Sequence, residues 1–85
     1  MSAGQILDRA SNILAERDAA YGDASASMAA IAARWSLTLG HPVTPAQVAL
    51  CMIDLKLTRL ARDPNYPDGP VDLIGYATIL VGLQR

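Results

Sequence analysis

Four stretches with helical spacing, separated by turns that contain glycine or proline, constrain the fold of this chain more than any other feature. They cover about residues 3–20, 24–39, 44–62 and 70 to the C-terminus. In each stretch the apolar residues recur at steps of three and four, as they do along one face of an α-helix. No stretch has the strict alternation of a β-strand. The sequence therefore predicts an all-α fold of four helices.

The start of the third helix is the clearest boundary. Thr44 suits the N-cap and Pro45 suits the first helical position, where a missing N–H costs nothing. Gln47 follows Thr44 by three residues, which is the spacing of a capping box. We expect this helix to continue to about Arg62.

The chain is short of bulky side chains. It has 85 residues, with 15 Ala, one Trp, three Tyr and no Phe. A domain of this size buries a smaller share of its surface than a larger one and is marginally stable. Yet its third and fourth helices are apolar on several sides, more than one buried face requires. We therefore predict a single helical domain over residues 1–85, a small four-helix bundle completed by homo-oligomerisation.

The charge balance excludes several classes of partner. Seven Lys and Arg against eight Asp and Glu give a net charge of −1, so binding of DNA, RNA or a membrane surface through bulk charge is not expected. Charges interrupt the apolar runs, which argues against a membrane span.

Cys51, the single cysteine, is expected to be a small core residue. Without a secretory signal or a disulfide framework, the chain is expected to be cytoplasmic.

The end of the first helix carries a candidate ligand site. Arg17 offers a planar fork of donors that suits phosphate or carboxylate, and Tyr21 offers a ring on which a base could stack. The alternative is a solvated helix end at which Gly22 acts as the C-cap.

The third and fourth helices carry further candidates. Lys56 and Arg59 lie three residues apart in an apolar helix, where a charge needs water, a partner or a ligand. Arg59 could instead pair with Asp63 at the surface. Asp72 and Tyr76, four apart, share a face of the last helix, and Asp72 could orient Lys56 or Arg59. Its simpler role is that of an acidic residue at a helix N-terminus.

A metal site is not expected, because His41 lies alone in a turn and Cys51 has no partner at ligand spacing.

Polar and aromatic residues follow a definite order along nearly the whole chain. The pattern comprises Arg17, Tyr21-Gly22-Asp23, Ile31-Ala32, Trp35, Lys56, Arg59-Leu60, Asp72 and Gly75-Tyr76-Ala77. This order resembles that of a family of small phage and prophage proteins. It is also similar to nucleotide-modification-associated phage domains and, more distantly, to the MazG-like all-α nucleoside triphosphate pyrophosphohydrolases.

The carboxylates depart from the pattern of those enzymes. The MazG-like proteins carry a Glu-Glu-x-x-Glu motif and a later Glu-x-x-Asp, which together hold Mg²⁺ on the phosphates. Here the acidic residues of the first helix lack that spacing, and Gly69 stands three residues before Asp72. The resemblance thus implies the scaffold and a nucleotide-sized pocket, with hydrolysis in doubt.

These observations favour a phage-type, non-catalytic homo-oligomer that binds a phosphate-bearing nucleotide between its protomers and sequesters a nucleotide signal of host defence in the host cytoplasm. Two alternatives stay open, a module that binds and inhibits a host protein and a reduced pyrophosphohydrolase. No cofactor is expected, and Mg²⁺ would be needed only by the pyrophosphohydrolase. The expected ligand-binding residues are Arg17, Tyr21, Lys56, Arg59, Asp72 and Tyr76.

Overall fold

The computed structural model describes residues 2–83 and has four helices: α1 spans Ala3–Tyr21, α2 Ala24–Leu39, α3 Pro45–Arg62 and α4 Gly69–Leu83. No strand occurs among these residues, which confirms the predicted all-α class. None of the helices in this part of the chain is long and apolar enough to cross a membrane. The fourth helix was expected to reach the C-terminus, and its last two predicted positions, 84 and 85, lie outside the described residues.

Local sequence signals set the helix ends. The predicted capping box of α3 is confirmed: the Gln47 amide N–H donates to Thr44 Oγ1 at 3.1 Å, and the Thr44 amide N–H donates to Gln47 Oε1 at 2.9 Å. An identical exchange between Ser2 and Gln5 caps α1. Each box satisfies two polar backbone groups at the helix start, which would otherwise lack partners inside the helix.

Glycines end the first two helices. Gly22 has a φ of 83° and Gly40 a φ of 74°, a region that side chains with a Cβ rarely enter. The Gly22 amide donates to the Asp18 carbonyl and the Gly40 amide to the Ser36 carbonyl. The chain therefore reverses within a few residues after each helix.

The core lies between α2, α3 and α4. α4 packs against all three other helices, and α3 packs against α2 and α4. Met28 and Ala32 of α2 meet Val48 and Ala49 of α3, and partly buried side chains of α4, among them Tyr76 and Ile79, close over this cluster. The buried hydrophobic residues in the described part of the chain are Ala10, Met28, Ala32, Val48, Ala49 and Val71.

The α3–α4 contact is close at its loop end. Gly69 is buried, and a Cβ atom placed on it would lie 2.5 Å from Cδ2 of Leu60. Only glycine fits at this position while Leu60 keeps its place. On the other side of α4, Arg9 pairs with Asp68 and Leu14 reaches Gly75. Residue numbers rise together along the two helices, so α1 and α4 run in the same direction.

The molecule exposes more surface than a compact monomer of its mass. Its accessible area is 5749 Å² for 9.0 kDa, whereas a monomer of that mass exposes about 4,900 Å². Its radius of gyration is 13.6 Å, against about 12 Å expected for this length. Large apolar side chains are exposed on α2 and α3, including Leu37, Leu50 and Leu57. The apolar arcs of α3 are thus only partly covered by the chain itself.

Shortening the most deeply buried large side chain should weaken the fold measurably. Val48 is fully buried, so Val48→Ala should lower the free energy of unfolding by about 2–3 kcal/mol through lost transfer energy and a residual cavity. Leu7 on α1 is exposed, and Leu7→Ala should change it by less than about 0.5 kcal/mol. Urea denaturation of the two variants checks this. Equal losses would contradict the assignment of the core.

Candidate functional site

An open groove lies where the end of α1, the start of α2 and the middle of α4 meet. Its volume is about 480 Å³. The walls are mainly apolar, with Leu14, Met28 and Ile79 among the lining residues. Polar and aromatic groups enter it from α1 and α4: Arg17, Asp18, Tyr21 and Tyr76. The groove therefore combines an apolar floor, two phenol rings, one guanidinium and one carboxylate.

A smaller cavity adjoins this groove between α1 and α4. Its volume is about 30 Å³. Leu14, Arg17, Tyr76 and Ile79 line both spaces, so these four residues form the boundary between them. Asp72, one helical turn before Tyr76, lines the small cavity. We refer to the two spaces as the outer groove and the inner cavity.

Asp72 is fixed by an ion pair with α3. Its Oδ2 atom lies 2.9 Å from Nζ of Lys56, and both side chains are only 12% exposed. The expectation that Asp72 orients Lys56 or Arg59 thus has its structural counterpart with Lys56. Because the pair joins α3 to α4 in a largely desolvated place, it compensates two charges that would be costly to bury singly.

Arg59 has a different neighbour. Its guanidinium lies 5.9 Å from the ring centroid of Tyr66, in the loop before α4, and Nη1 donates to the Tyr66 hydroxyl at 3.4 Å. The side chain of Asp63 accepts a hydrogen bond from the Asn65 amide, and the Arg59–Asp63 pair considered from the sequence is not formed. Arg59 is not among the residues that line the outer groove or the inner cavity.

The structure therefore gathers most, but not all, of the predicted site residues. Arg17, Tyr21 and Tyr76 line the outer groove, Asp72 lines the inner cavity, and Lys56 reaches the site through its ion pair. How each of them acts on a ligand stays a prediction.

Sequence reasoning missed two polar residues of the outer groove, Asp18 and Ser27. Asp18 could have been suspected as the neighbour of Arg17 in a charged run. Ser27 lies on α2 among small residues, and Ala24 and Ala30 line the groove beside it. Their small side chains leave its α2 wall shallow.

The other candidates lie at the surface. The expected place of Cys51 in the core is wrong: its side chain is exposed. Helix α3 buries Val48, Ala49 and part of Met52, and Cys51 faces away from that cluster. His41 is exposed in the turn after α2. Within residues 2–83, no three or more His, Cys, Asp or Glu side chains come together as a metal site would require.

Comparison with known proteins decides the family. A family model described as "Domain of unknown function (DUF6378)" matches residues 5–84. The chain belongs to the DUF6378 family. It is also 37% identical over 81 residues to the Gene 55 protein of Mycobacterium phage L5. The matched segment covers 93% of this chain and 52% of that protein. This DUF6378 chain thus spans about half the length of the curated relative it matches, and the expected relationship to phage proteins is confirmed. No solved structure matches it.

The Lys56–Asp72 pair should contribute more to stability than a surface pair. Lys56→Met leaves a mostly buried carboxylate without its cation, and we expect it to lower the free energy of unfolding by about 1–3 kcal/mol. The control is Arg9→Met, which breaks the pair between Arg9 and Asp68. In that pair the Arg9 side chain is 43% exposed and the Asp68 side chain 55%. That variant should lose at most about 1 kcal/mol. Urea melts compare them, and a larger loss for Arg9→Met would contradict this ranking.

Proposed function

We propose that this DUF6378 protein is a non-catalytic, phage-type binder of a small phosphate-bearing nucleotide, which it holds in the outer groove. The observation that carries the proposal is that Arg17, Tyr21 and Tyr76 line one groove with an apolar floor. A nucleotide has the matching parts, since its base stacks on aromatic rings and its phosphate accepts paired hydrogen bonds from a guanidinium. The volume of about 480 Å³ suits a small-molecule site, for which 300–1,000 Å³ is typical.

The charges of the groove favour a ligand with few negative charges. Among the described residues that line it, Arg17 is the only cation, and Asp18 lies beside it. The nearby Lys56 is already paired with Asp72. A nucleoside triphosphate would bring several more negative charges than these groups compensate, whereas a monophosphate or a phosphodiester would bring one or two. The proposal therefore commits to mononucleotides, cyclic nucleotides and short oligonucleotides.

The biological role follows from the phage relative. A phage protein that binds a nucleotide without converting it lowers the free concentration of that nucleotide in the infected cell. We infer that sequestration of a nucleotide signal of host defence is the role that suits such an activity. The relationship to MazG-like pyrophosphohydrolases stays a prediction, and the proposed activity contains no hydrolytic step.

Isothermal titration with a panel of mononucleotides, cyclic nucleotides and short oligonucleotides tests the binding. At least one should bind, and Arg17→Ala should weaken that binding by about 10–100-fold, because a hydrogen bond to a charged group is lost. Arg34→Ala is the matched control, since Arg34 is an exposed arginine of α2 that is not among the groove residues. The Arg34→Ala variant should bind that nucleotide with the affinity of the unaltered protein. If no member of the panel binds to the folded protein, the proposal fails.

We also propose that the protein works as a homo-oligomer. Its accessible area exceeds that of a typical monomer of its mass by roughly 850 Å², close to the 800 Å² or so that each partner buries in a standard interface. Leu50 and Leu57 are about half exposed and lie seven residues apart, hence on one face of α3. The sequence suggested a site between protomers, but the outer groove is lined by residues of a single chain, so the partner is not needed to complete its lining.

Light scattering at micromolar concentration should therefore report a mass above 9.0 kDa, at a multiple of the chain mass. The double variant Leu50→Glu/Leu57→Glu should be a monomer, because charges on this face cannot be buried against each other. Ser11→Glu, which adds a charge to the exposed face of α1, should leave the mass unaltered. A strict monomer before any substitution would contradict self-association.

A second candidate function is favoured by the same exposed leucines: a module that binds and inhibits a host protein. The two functions differ in which residues matter. For a protein-binding module, Arg17→Ala leaves the activity intact and Leu50→Glu/Leu57→Glu abolishes capture of a host protein from lysate. For a nucleotide binder, Arg17→Ala removes the activity.

A further inference from the structure

The inner cavity is much smaller than the outer groove. Its volume is about 30 Å³, against about 480 Å³ for the groove. A nucleotide base that lies in the outer groove therefore reaches the inner cavity with its edge, past the shared boundary of Arg17 and Tyr76.

The chemistry of the cavity is set by one carboxylate. Among the described residues that line it, Asp72 is the only acidic one, and most of the others are apolar, Ile13 and Val71 among them. A carboxylate accepts hydrogen bonds and donates none, and its two oxygens offer about four acceptor sites. Lys56 lies against Oδ2, which leaves acceptor capacity on the carboxylate for a further donor.

We propose that Asp72 is a specificity-determining residue that selects nucleotides whose base carries an exocyclic amino group. This inference rests on the proposed function, because it needs the base to lie in the outer groove. An amino group in the inner cavity donates to the Asp72 carboxylate. A carbonyl oxygen at the same position of the base has no proton to donate and faces that carboxylate with lone pairs against lone pairs.

Arg17 allows both ends of the ligand to be recognised together. Its side chain lines the inner cavity as well as the outer groove. A phosphate bound by this guanidinium can therefore belong to the same ligand whose amino group meets Asp72. Selection by Asp72 acts on the base alone. A comparison of two ligands with the same sugar and phosphate therefore measures this selection by itself.

The test is titration of the unaltered protein with two matched ligand pairs, cytidine against uridine monophosphate and adenosine against inosine monophosphate. Within each pair an amino group replaces a carbonyl oxygen while the sugar and phosphate stay the same. In at least one pair we expect the amino member to bind about 10–100-fold more tightly, the range for a hydrogen bond to a charged group.

Equal affinities in both pairs, or tighter binding of the carbonyl members, would overturn the inference and leave the proposed function standing. If none of the four binds while another nucleotide of the panel does, the role of Asp72 fails alone. Absence of binding by every nucleotide removes both.

Two variants assign the selection to Asp72. Asp72→Asn presents an amide that can donate to a carbonyl oxygen, so the ratio within the selective pair should fall to within about threefold. Asp68→Asn makes the same change at a carboxylate that pairs with Arg9 and lines neither space, so it should retain the preference. Thermal melts confirm that each variant is folded. If Asp72→Asn does not fold, Asp72→Ser takes its place, and a folded variant at this position that keeps the full preference overturns the assignment.

Discussion

Close packing of small side chains between α2 and α3 is the contact on which the rest of the structure depends. Ala32 and Ala49 let the two helix backbones approach, and Val48 and Met28 fill what space remains. Near the C-terminal end of α3, Gly69 lets the start of α4 pack closely against Leu60. Small side chains allow close approach but bury little apolar area each. The chain therefore forms its helices and their contacts while leaving several leucines in solvent.

The arrangement of the site follows from this packing. α4 is held against α3 by the core and by the Lys56–Asp72 pair, which fixes the side of α4 that carries Asp72. One turn further along, Tyr76 packs against the core cluster and lines both the outer groove and the inner cavity. The position of these two residues is thus determined by contacts that also stabilise the fold, so their geometry is set before any ligand arrives.

The helices could be predicted from the sequence because their signals are local. Thr44, Pro45 and Gln47 define a helix start within four residues, and Gly22 and Gly40 mark helix ends by the backbone angles they permit. The place of Cys51 was wrong for a different reason. A helix with apolar residues on most sides has no unique inner face in its sequence, so only the packing of α2 and α4 shows which side is buried.

Most residues of the candidate site could be predicted from the sequence, but the partners that they contact could not. Lys56 and Arg59 are equivalent by helical spacing, yet α4 supplies a carboxylate to the first while the preceding loop supplies a ring to the second. The outer groove depends on α1 lying parallel to α4, an arrangement between distant segments that no local pattern encodes. For that reason the place of Ser27 in the groove came to light only in the structure.

The groove draws Arg17 and Tyr21 from the first helix and Tyr76 from the last. During synthesis Arg17 and Tyr21 leave the ribosome before Tyr76, and the pocket cannot exist until α4 has emerged and docked. Fragments that stop before α4 would be inert however well their helices form. A molecule bound there would contact α1 and α4 together, so occupancy would raise the melting temperature of the chain.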